Sequence, residues 1–146
     1  MTAPTQNDLV IVDTNVVSYI FRDDPIGEPY RLALAEQHRA ISFQTYAELM
    51  YGALSSNWGQ RRINDLIEHI SDNYVVLGCN RQLVVVCSRL RAQSRRIGRE
   101  LSAADAWIAA TAVLLDCPLL SHDRDFGNLP GLEVIHYDSP ADDTRH

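Results

Sequence analysis

The stretch Leu9-Val10-Ile11-Val12-Asp13-Thr14-Asn15 decides how this chain folds. Its first four residues are apolar and mostly β-branched, which is typical of a strand buried on both faces of a parallel sheet. The acid Asp13 follows at once, and residues 14–21 then have the pattern of a short helix. A carboxylate at such a junction lies at the carboxyl edge of the sheet, where open α/β sheets bind their ligands.

The rest of the chain continues this alternation of strands and helices. The apolar patterns predict further strands at 40–43, 74–77, 118–121 and 132–136, and further helices at 28–39, 45–54, 61–70, 81–97 and 102–116. The order β-α-α-β-α-α-β-α-α-β-β predicts a three-layer α/β fold, with a central, mainly parallel sheet of about five strands flanked by helices. We expect one domain over 1–146, with flexible ends at 1–8 and 140–146.

The charge of the chain is unevenly distributed. The formal net charge of -6 argues against a nucleic-acid binder, because such proteins are usually basic. Residues 74–104, however, carry six arginines and a single acid, Glu100. All 13 basic residues are arginine, and the absence of lysine excludes a Walker-type phosphate loop and Schiff-base chemistry.

Membrane, disulfide and zinc signals are weak. No apolar run approaches the length of a transmembrane helix and residues 1–8 lack a signal-peptide pattern, so we expect a cytoplasmic protein without membrane contact. Cys79, Cys87 and Cys117 form no C-x-x-C motif, and we interpret them as buried structural thiols in a reducing compartment. The five histidines show no zinc-binding spacing.

Four acids occupy positions from which they could converge. Asp13 follows the first predicted strand, Glu48 lies shortly after the second, and Asp123 follows the fourth. Asp105 lies near the start of the helix that precedes the fourth strand. Because carboxylate oxygens are the ligands of hard cations such as Mg²⁺, this pattern favours metal-dependent phosphodiester chemistry.

Each acid also has a purely structural explanation. Asp13 is suited to cap the helix that follows it, and Asp123 to form a turn. The segments 45–48 and 102–105 both match the S/T-x-x-E/D capping box. Capping does not exclude metal binding, since a helix N-terminus favours negative charge.

The order of four motifs gives the chain a family resemblance. They are Asp13-Thr14-Asn15, Glu48 followed by Gly52, residues 105–112 (Asp-Ala-Trp-Ile-Ala-Ala-Thr-Ala), and residues 121–126 (Ser-His-Asp-Arg-Asp-Phe). Over 9–137 the chain resembles the PIN-domain ribonucleases, and among them the VapC-type toxins of bacterial toxin–antitoxin pairs. The resemblance implies an acidic quartet that holds Mg²⁺ or Mn²⁺, composed of Asp13, Glu48, Asp105 and Asp123. It also implies polar supports at Asn15 and Ser121, with Asp125 sharing or replacing the role of Asp123.

The activity and partners implied by this resemblance are specific. The chain would be an endoribonuclease toxin that cuts RNA with a metal-activated water and is neutralised by a cognate antitoxin. We also expect a homodimer. Apolar residues form either the antitoxin groove, a homodimer face or ordinary core; they are Val17, Tyr19, Ile20, Phe21, Tyr51 and Trp58. Three arginines recur at helical spacing and form either a contact with RNA or a partner protein, or an ordinary solvated helix face. They are Arg91, Arg95 and Arg99.

Two other functions remain open from the sequence. A catalytically inactive PIN-like module that binds protein or RNA agrees with the excess of acids and with the capping patterns. A phosphatase using Asp13 as a covalent nucleophile fits less well, because Asn15 interrupts the D-x-D pattern and no lysine is available to neutralise a phosphoaspartate.

Overall fold

The computed structural model of the protein describes residues 8–140. Strand β1 (Leu9–Val12) leads through Asp13 into helix α1 (Thr14–Phe21), with the predicted bounds. The remaining elements follow in the predicted order: α2 (Glu28–Leu34), β2 (His38–Ser42), α3 (Phe43–Ser55), α4 (Gln60–Asn73), β3 (Val75–Leu77), α5 (Arg81–Arg96), α6 (Ala103–Leu115), β4 (Leu119–Leu120) and β5 (Val134–Ile135).

The five strands form one parallel sheet in the order β3-β2-β1-β4-β5. β1 lies at its centre, where Leu9 pairs with His38 of β2 and Val12 pairs with Leu120 of β4. The residues that follow β1 and β4 therefore leave the sheet side by side at the same edge. The predicted α/β fold with a parallel five-stranded sheet is confirmed.

Alternate residues of the strands face two separate apolar cores. Val10 and Val12 of β1 pack in the core formed with α1 to α4. Ile11 faces the other core, which α5 and α6 complete. This alternation arises because successive side chains of a strand point to opposite faces of the sheet. The result is the predicted three layers, in which α1 to α4 cover one face of the sheet and α5 and α6 the other.

The predicted helix at 28–39 is too long. Helix α2 ends at Leu34, and β2 begins at His38, two residues earlier than predicted. The apolar pattern of the helix stops at Leu34, and parallel pairing with β1 recruits the polar residues His38 and Arg39 into the sheet. Phe43, assigned to this strand in the prediction, is instead the first residue of α3. The local sequence pattern does not show which strand pairs with this segment, so it could not predict where α2 ends and β2 begins.

The last two predicted strands are shorter than expected. β4 covers only 119–120 and β5 only 134–135. The backbone N–H of Ser121 still donates to the carbonyl of Ile135 at 3.1 Å, but the chain turns at this residue. This turn directs the Ser121 hydroxyl towards Asp13.

The thiol prediction is correct for two cysteines and wrong for the third. Cys87 and Cys117 are buried, whereas Cys79 is exposed because it lies in the loop after β3; all three are free thiols. The expected flexible ends lie outside the described residues, apart from positions 8 and 140. No helix between residues 8 and 140 is long and apolar enough to span a bilayer.

Candidate active site

The first carboxylate of the site is fixed by two neighbouring strand ends. Asp13 is the N-cap of α1, and one of its oxygens accepts the backbone N–H of Thr14 at 2.8 Å. Its other oxygen accepts the hydroxyl of Ser121 at 2.7 Å. Because β1 and β4 are paired, Ser121 reaches Asp13 from the adjacent strand. The predicted capping role of Asp13 is confirmed, and a second contact orients the same carboxylate across the sheet.

The environment of Asp13 disfavours its charge. Burial raises its pKa from 3.8 to about 6, although the hydrogen bonds from Ser121 and Thr14 lower it; the charges of Asp105 and Glu48 raise it further. The side chain is only 5% exposed. The fold therefore holds a buried carboxylate near other acids, an arrangement that a bound cation would relieve.

Glu48 reaches the site from α3 without taking part in a capping box. The N-cap of α3 is Ser42, whose hydroxyl accepts the backbone N–H of Gln44 at 3.1 Å, so the predicted cap at Thr45 is wrong. Thr45 is buried instead, and its hydroxyl accepts the Thr14 hydroxyl at 3.1 Å. This bond ties the first turns of α1 and α3 together. Capping therefore does not explain Glu48.

Asp105 lies in the first turn of α6. Its backbone N–H donates to the hydroxyl of the N-cap Ser102 at 3.1 Å, so the predicted cap at 102–105 is correct. Burial raises the pKa of Asp105, the Ser102 side chain lowers it, and the charges of Asp123 and Asp125 raise it again. The cap thus positions a carboxylate that also experiences the other acids.

The loop after β4 supplies the fourth acid. The N–H of Asp123 donates to the Ser121 hydroxyl at 3.0 Å, and its carboxylate accepts the N–H of Asp125 at 2.9 Å. The predicted turn role of Asp123 is confirmed. On α1, the Asn15 side-chain oxygen accepts the N–H of His122 at 3.4 Å, a long contact that joins α1 to this loop.

All four acids line one cavity of about 450 Å³, whose walls also include α1, α3 and part of α4. Asp123 lines it, whereas Asp125 does not and is exposed. Within residues 8–140, Arg22 is the only basic side chain among the lining residues. Among its described lining residues, four carboxylates therefore face a single guanidinium.

The donor set of this cavity suits a hydrated hard cation. In the part of the chain that is described, no three Asp, Glu, His or Cys side chains are arranged to hold a metal ion by themselves. Mg²⁺ is usually bound by only one or two carboxylates, with water and substrate phosphate completing an octahedron. Carboxylates spread around an open cavity fit this mode of binding better than a closed protein cage.

The predicted arginine row lies outside this cavity. Arg91 and Arg95 are exposed on α5, which ends at Arg96, and Gly98 follows with a positive φ of 75°. Arg99 lies beyond the helix, where its guanidinium donates to the carbonyl of Gly127 at 2.7 Å. It is therefore attached to the loop that follows Asp123.

The apolar candidates for a partner surface divide into core and surface. Val17 is fully buried and belongs to the core. Ile20, Phe21 and Trp58 are partly buried against the same core, with Phe21 and Trp58 stacked at 5.9 Å between ring centroids. Tyr51 is 74% exposed on α3. Tyr19, half-buried, lines the cavity of the acids.

Sequence reasoning missed several residues of the cavity and its support. Arg22 lines the cavity at the C-terminal end of α1, and Thr45 anchors α3 to α1. Tyr30 is fully buried behind the site, with its hydroxyl 2.6 Å from the His122 ring. Of these, only Arg22 could have been noted from the sequence, because it directly follows the predicted helix that begins after Asp13.

Comparison with known proteins agrees with the sheet topology. The family model described as the PIN domain matches residues 10–132. The chain belongs to the PIN domain family. Ribonuclease VapC1 of Haemophilus influenzae (strain R2866) is 29% identical to this PIN domain over 128 residues, covering 86% of the chain and 95% of the relative.

Solved structures carry the same fold. VapBC-1 from nontypeable Haemophilus influenzae matches this PIN domain with a TM-score of 0.73 and 27% identity, covering 88% of this chain and 97% of that one. A toxin–antitoxin complex from Klebsiella pneumoniae matches with a TM-score of 0.69 and 25% identity, covering 88% and 98%. The resemblance to VapC-type PIN domains, predicted from the motifs, is confirmed.

Proposed function

We propose that this PIN domain is a Mg²⁺- or Mn²⁺-dependent endoribonuclease toxin that acts in the cytoplasm and is neutralised by a cognate antitoxin. The relative named Ribonuclease VapC1 and the solved toxin–antitoxin complex support the activity and the partner class. The observation that carries the proposal is the cavity in which Asp13, Glu48, Asp105 and Asp123 lie together.

The proposed roles follow from the position of each carboxylate. Asp13, Asp105 and Asp123 would hold the cation directly or through water, and Glu48 would complete the set or accept a proton from the attacking water. When bound, the cation supplies an acidified water and neutralises charge that develops on the phosphate. The oxygens of Asp13 keep their direction because Thr14 and Ser121 each donate to one of them.

The surrounding polar groups act on the orientation of these ligands. Ser121 contacts two of the acids at once, since it donates to Asp13 and accepts the N–H of Asp123. The N–H of Asp125 holds the carboxylate of Asp123. We assign Ser121, Asn15 and Asp125 to positioning, because ligand orientation by such hydrogen bonds commonly changes metal affinity 10- to 100-fold.

The decisive experiment removes single charges at nearly constant shape. Asp13→Asn and Asp105→Asn should each lower RNA cleavage at least about a hundredfold, because each weakens cation binding and transition-state charge stabilisation. Asp116→Asn is a matched control: Asp116 is the C-cap of the helix whose first turn contains Asp105, and asparagine tolerates its positive φ of 52°. Cleavage would be measured on total RNA in magnesium buffer, with circular dichroism to confirm folding.

The competing function is a binding module without turnover. The capping contact between Ser102 and the N–H of Asp105 favours it, because a cap accounts for an acid at this position without a metal. Titration calorimetry that detects no Mg²⁺ or Mn²⁺ binding at millimolar concentration, together with no RNA cleavage by the parent above that of a protein-free control, would favour that module and reject the ribonuclease.

Two surfaces remain for the expected macromolecular contacts. Tyr51 and Leu54 are 74% and 60% exposed on α3, and they support an apolar contact with the antitoxin or with a second copy of the chain. The homodimer stays a prediction. The exposed arginines Arg91 and Arg95, with Arg99 at the adjoining loop, remain our candidates for a contact with RNA phosphates or with a partner.

A further inference from the structure

The cavity that holds the four acids is also lined by one basic side chain, Arg22. Arg22 is the C-cap of α1, and Asp13 is the N-cap of the same helix. A helix rises about 1.5 Å per residue, so these two ends of α1 are separated by roughly 13 Å. One helix therefore places a carboxylate and a guanidinium at opposite ends of one cavity.

The Arg22 guanidinium is available to a ligand. None of the ion pairs found within residues 8–140 includes Arg22, and the side chain is exposed. Its Nε donates to the Ser18 carbonyl at a long 3.4 Å, and its guanidinium carbon lies 5.5 Å from the centroid of the Tyr19 ring. These contacts orient the group without saturating its donors, which suit a phosphate.

The wall between the two ends is open at Gly52. This residue lies on α3 one turn after Glu48, lines the cavity, and is exposed. A Cβ added there would meet no described neighbouring atom within 4 Å. Glycine weakens a helix relative to alanine, and packing inside the chain gives no reason for it here. The structural effect of a glycine at this position is therefore to leave space in the cavity that a larger side chain would fill.

We propose that the cleft between α1 and α3 holds the single-stranded RNA segment next to the bond being cut, with Arg22 bound to a flanking phosphate. The proposal rests on the proposed ribonuclease function. A strand whose scissile phosphate is at the carboxylates must continue out of the cavity, and Arg22 is the basic group among its described lining residues. About 450 Å³ is in the size range of ligand pockets, so it accepts a nucleotide segment rather than a duplex.

The test measures phosphate binding by its salt dependence. A short fluorescein-labelled oligouridylate would be titrated by anisotropy against the full chain carrying Asp105→Asn, in magnesium buffer at several NaCl concentrations. Adding Arg22→Gln should weaken binding about 3- to 10-fold and reduce the slope of log K against log [salt] by about 0.7, the value for one phosphate of a single strand. Arg22→Lys should restore the slope because it restores the charge.

Two further variants separate this role from a structural one. Arg31→Gln removes an exposed arginine on α2 that is paired with Glu28, and it should leave the slope unchanged. Gly52→Leu should weaken binding without lowering the melting temperature, since leucine favours the helix and fills only open space. In the cleavage-competent chain, Arg22→Gln should raise KM more than it lowers kcat.

Distinct results would overturn the proposal. A slope that Arg22→Gln leaves unchanged, a change that Arg31→Gln reproduces, or no binding of oligouridylate at low salt would each reject it. If Arg22→Gln weakens only the antitoxin complex, the cleft belongs to the protein partner. Failure of the ribonuclease proposal is separate, because it would appear as equal cleavage by Asp105→Asn and the parent chain.

Discussion

Asp13 illustrates how one residue can serve function at the expense of stability. It is 5% exposed, and its two hydrogen bonds come from neutral groups rather than from an arginine or lysine. A buried carboxylate without a cationic partner is unfavourable when charged. The chain places Glu48 and Asp105 close enough to raise its pKa further. A divalent cation bound beside Asp13 would offset this cost, as the proposed function requires.

The raised pKa of Asp13 predicts a stability change with pH in the metal-free protein. Its carboxyl binds its proton more tightly when folded than when unfolded, so folding is destabilised as pH rises from 3.8 to about 6 and the cost is constant above that window. Two pKa units correspond to about 3 kcal/mol. Urea unfolding in EDTA should therefore show a free energy of unfolding that falls between pH 4 and pH 7.

The control for this prediction is Asp13→Asn, which cannot titrate. The difference in unfolding free energy between the parent and this variant isolates Asp13 from the other groups. It should be small near pH 4 and should favour the variant by a few kcal/mol near pH 7. A difference that does not change with pH would show that the carboxylate is not held in the buried, acid-rich surroundings described above.

At the scale of elements, the sequence predicted the junction between β1 and α1 correctly. It predicted less well the ends of elements that depend on strand pairing. β1 and α1 have the predicted bounds because the apolar run and the cap at Asp13 are local signals. α2 was extended too far, since β1 recruits His38 and Arg39 into the sheet. A partner strand distant in sequence leaves no mark in the local pattern.

The same distinction applies to the site. All four acids line one cavity, as expected from strand ends that meet at one edge. The Ser121 contact with Asp13 depends on the register of β4, and the role of Thr45 depends on where α3 begins. The end of the cavity at Arg22 depends on how α1 and α3 face each other. These features required the three-dimensional structure.

The cap of α6 gives a prediction at this scale. Ser102→Ala should destabilise the protein by about 1 kcal/mol, because the N–H of Asp105 loses its acceptor. Ser102→Gly should cost only a few tenths of a kcal/mol, since glycine is itself tolerated at N-caps. Urea unfolding at constant pH measures both. No measurable loss for Ser102→Ala would contradict a capping role for the serine hydroxyl.

The whole molecule separates its charges in space. The net charge is -6, but the arginines of α5 lie exposed while the acids of the site share a cavity. A cation bound at the acids would reverse the local field that an RNA phosphate meets there. The overall negative charge therefore does not decide against a nucleic-acid substrate, and under the proposed function attraction at the site would depend on the bound metal.

This dependence predicts that divalent cations stabilise the whole fold. A ligand that binds only the folded state at about a hundred times its Kd contributes about 2.7 kcal/mol. For a chain of this length that is a rise in melting temperature of roughly 5–10 °C.

Mn²⁺ or Mg²⁺ at pH 7.5 should produce such a rise in differential scanning fluorimetry, whereas Asp105→Asn and Asp123→Asn should reduce it. Asp116→Asn should keep the full rise, because Asp116 is at the far end of α6. The rise should shrink near pH 5, where the raised pKa of Asp13 makes protons compete with the cation. Equal shifts in all variants would mean that the metal binds elsewhere, and the acids would then have to be explained without it.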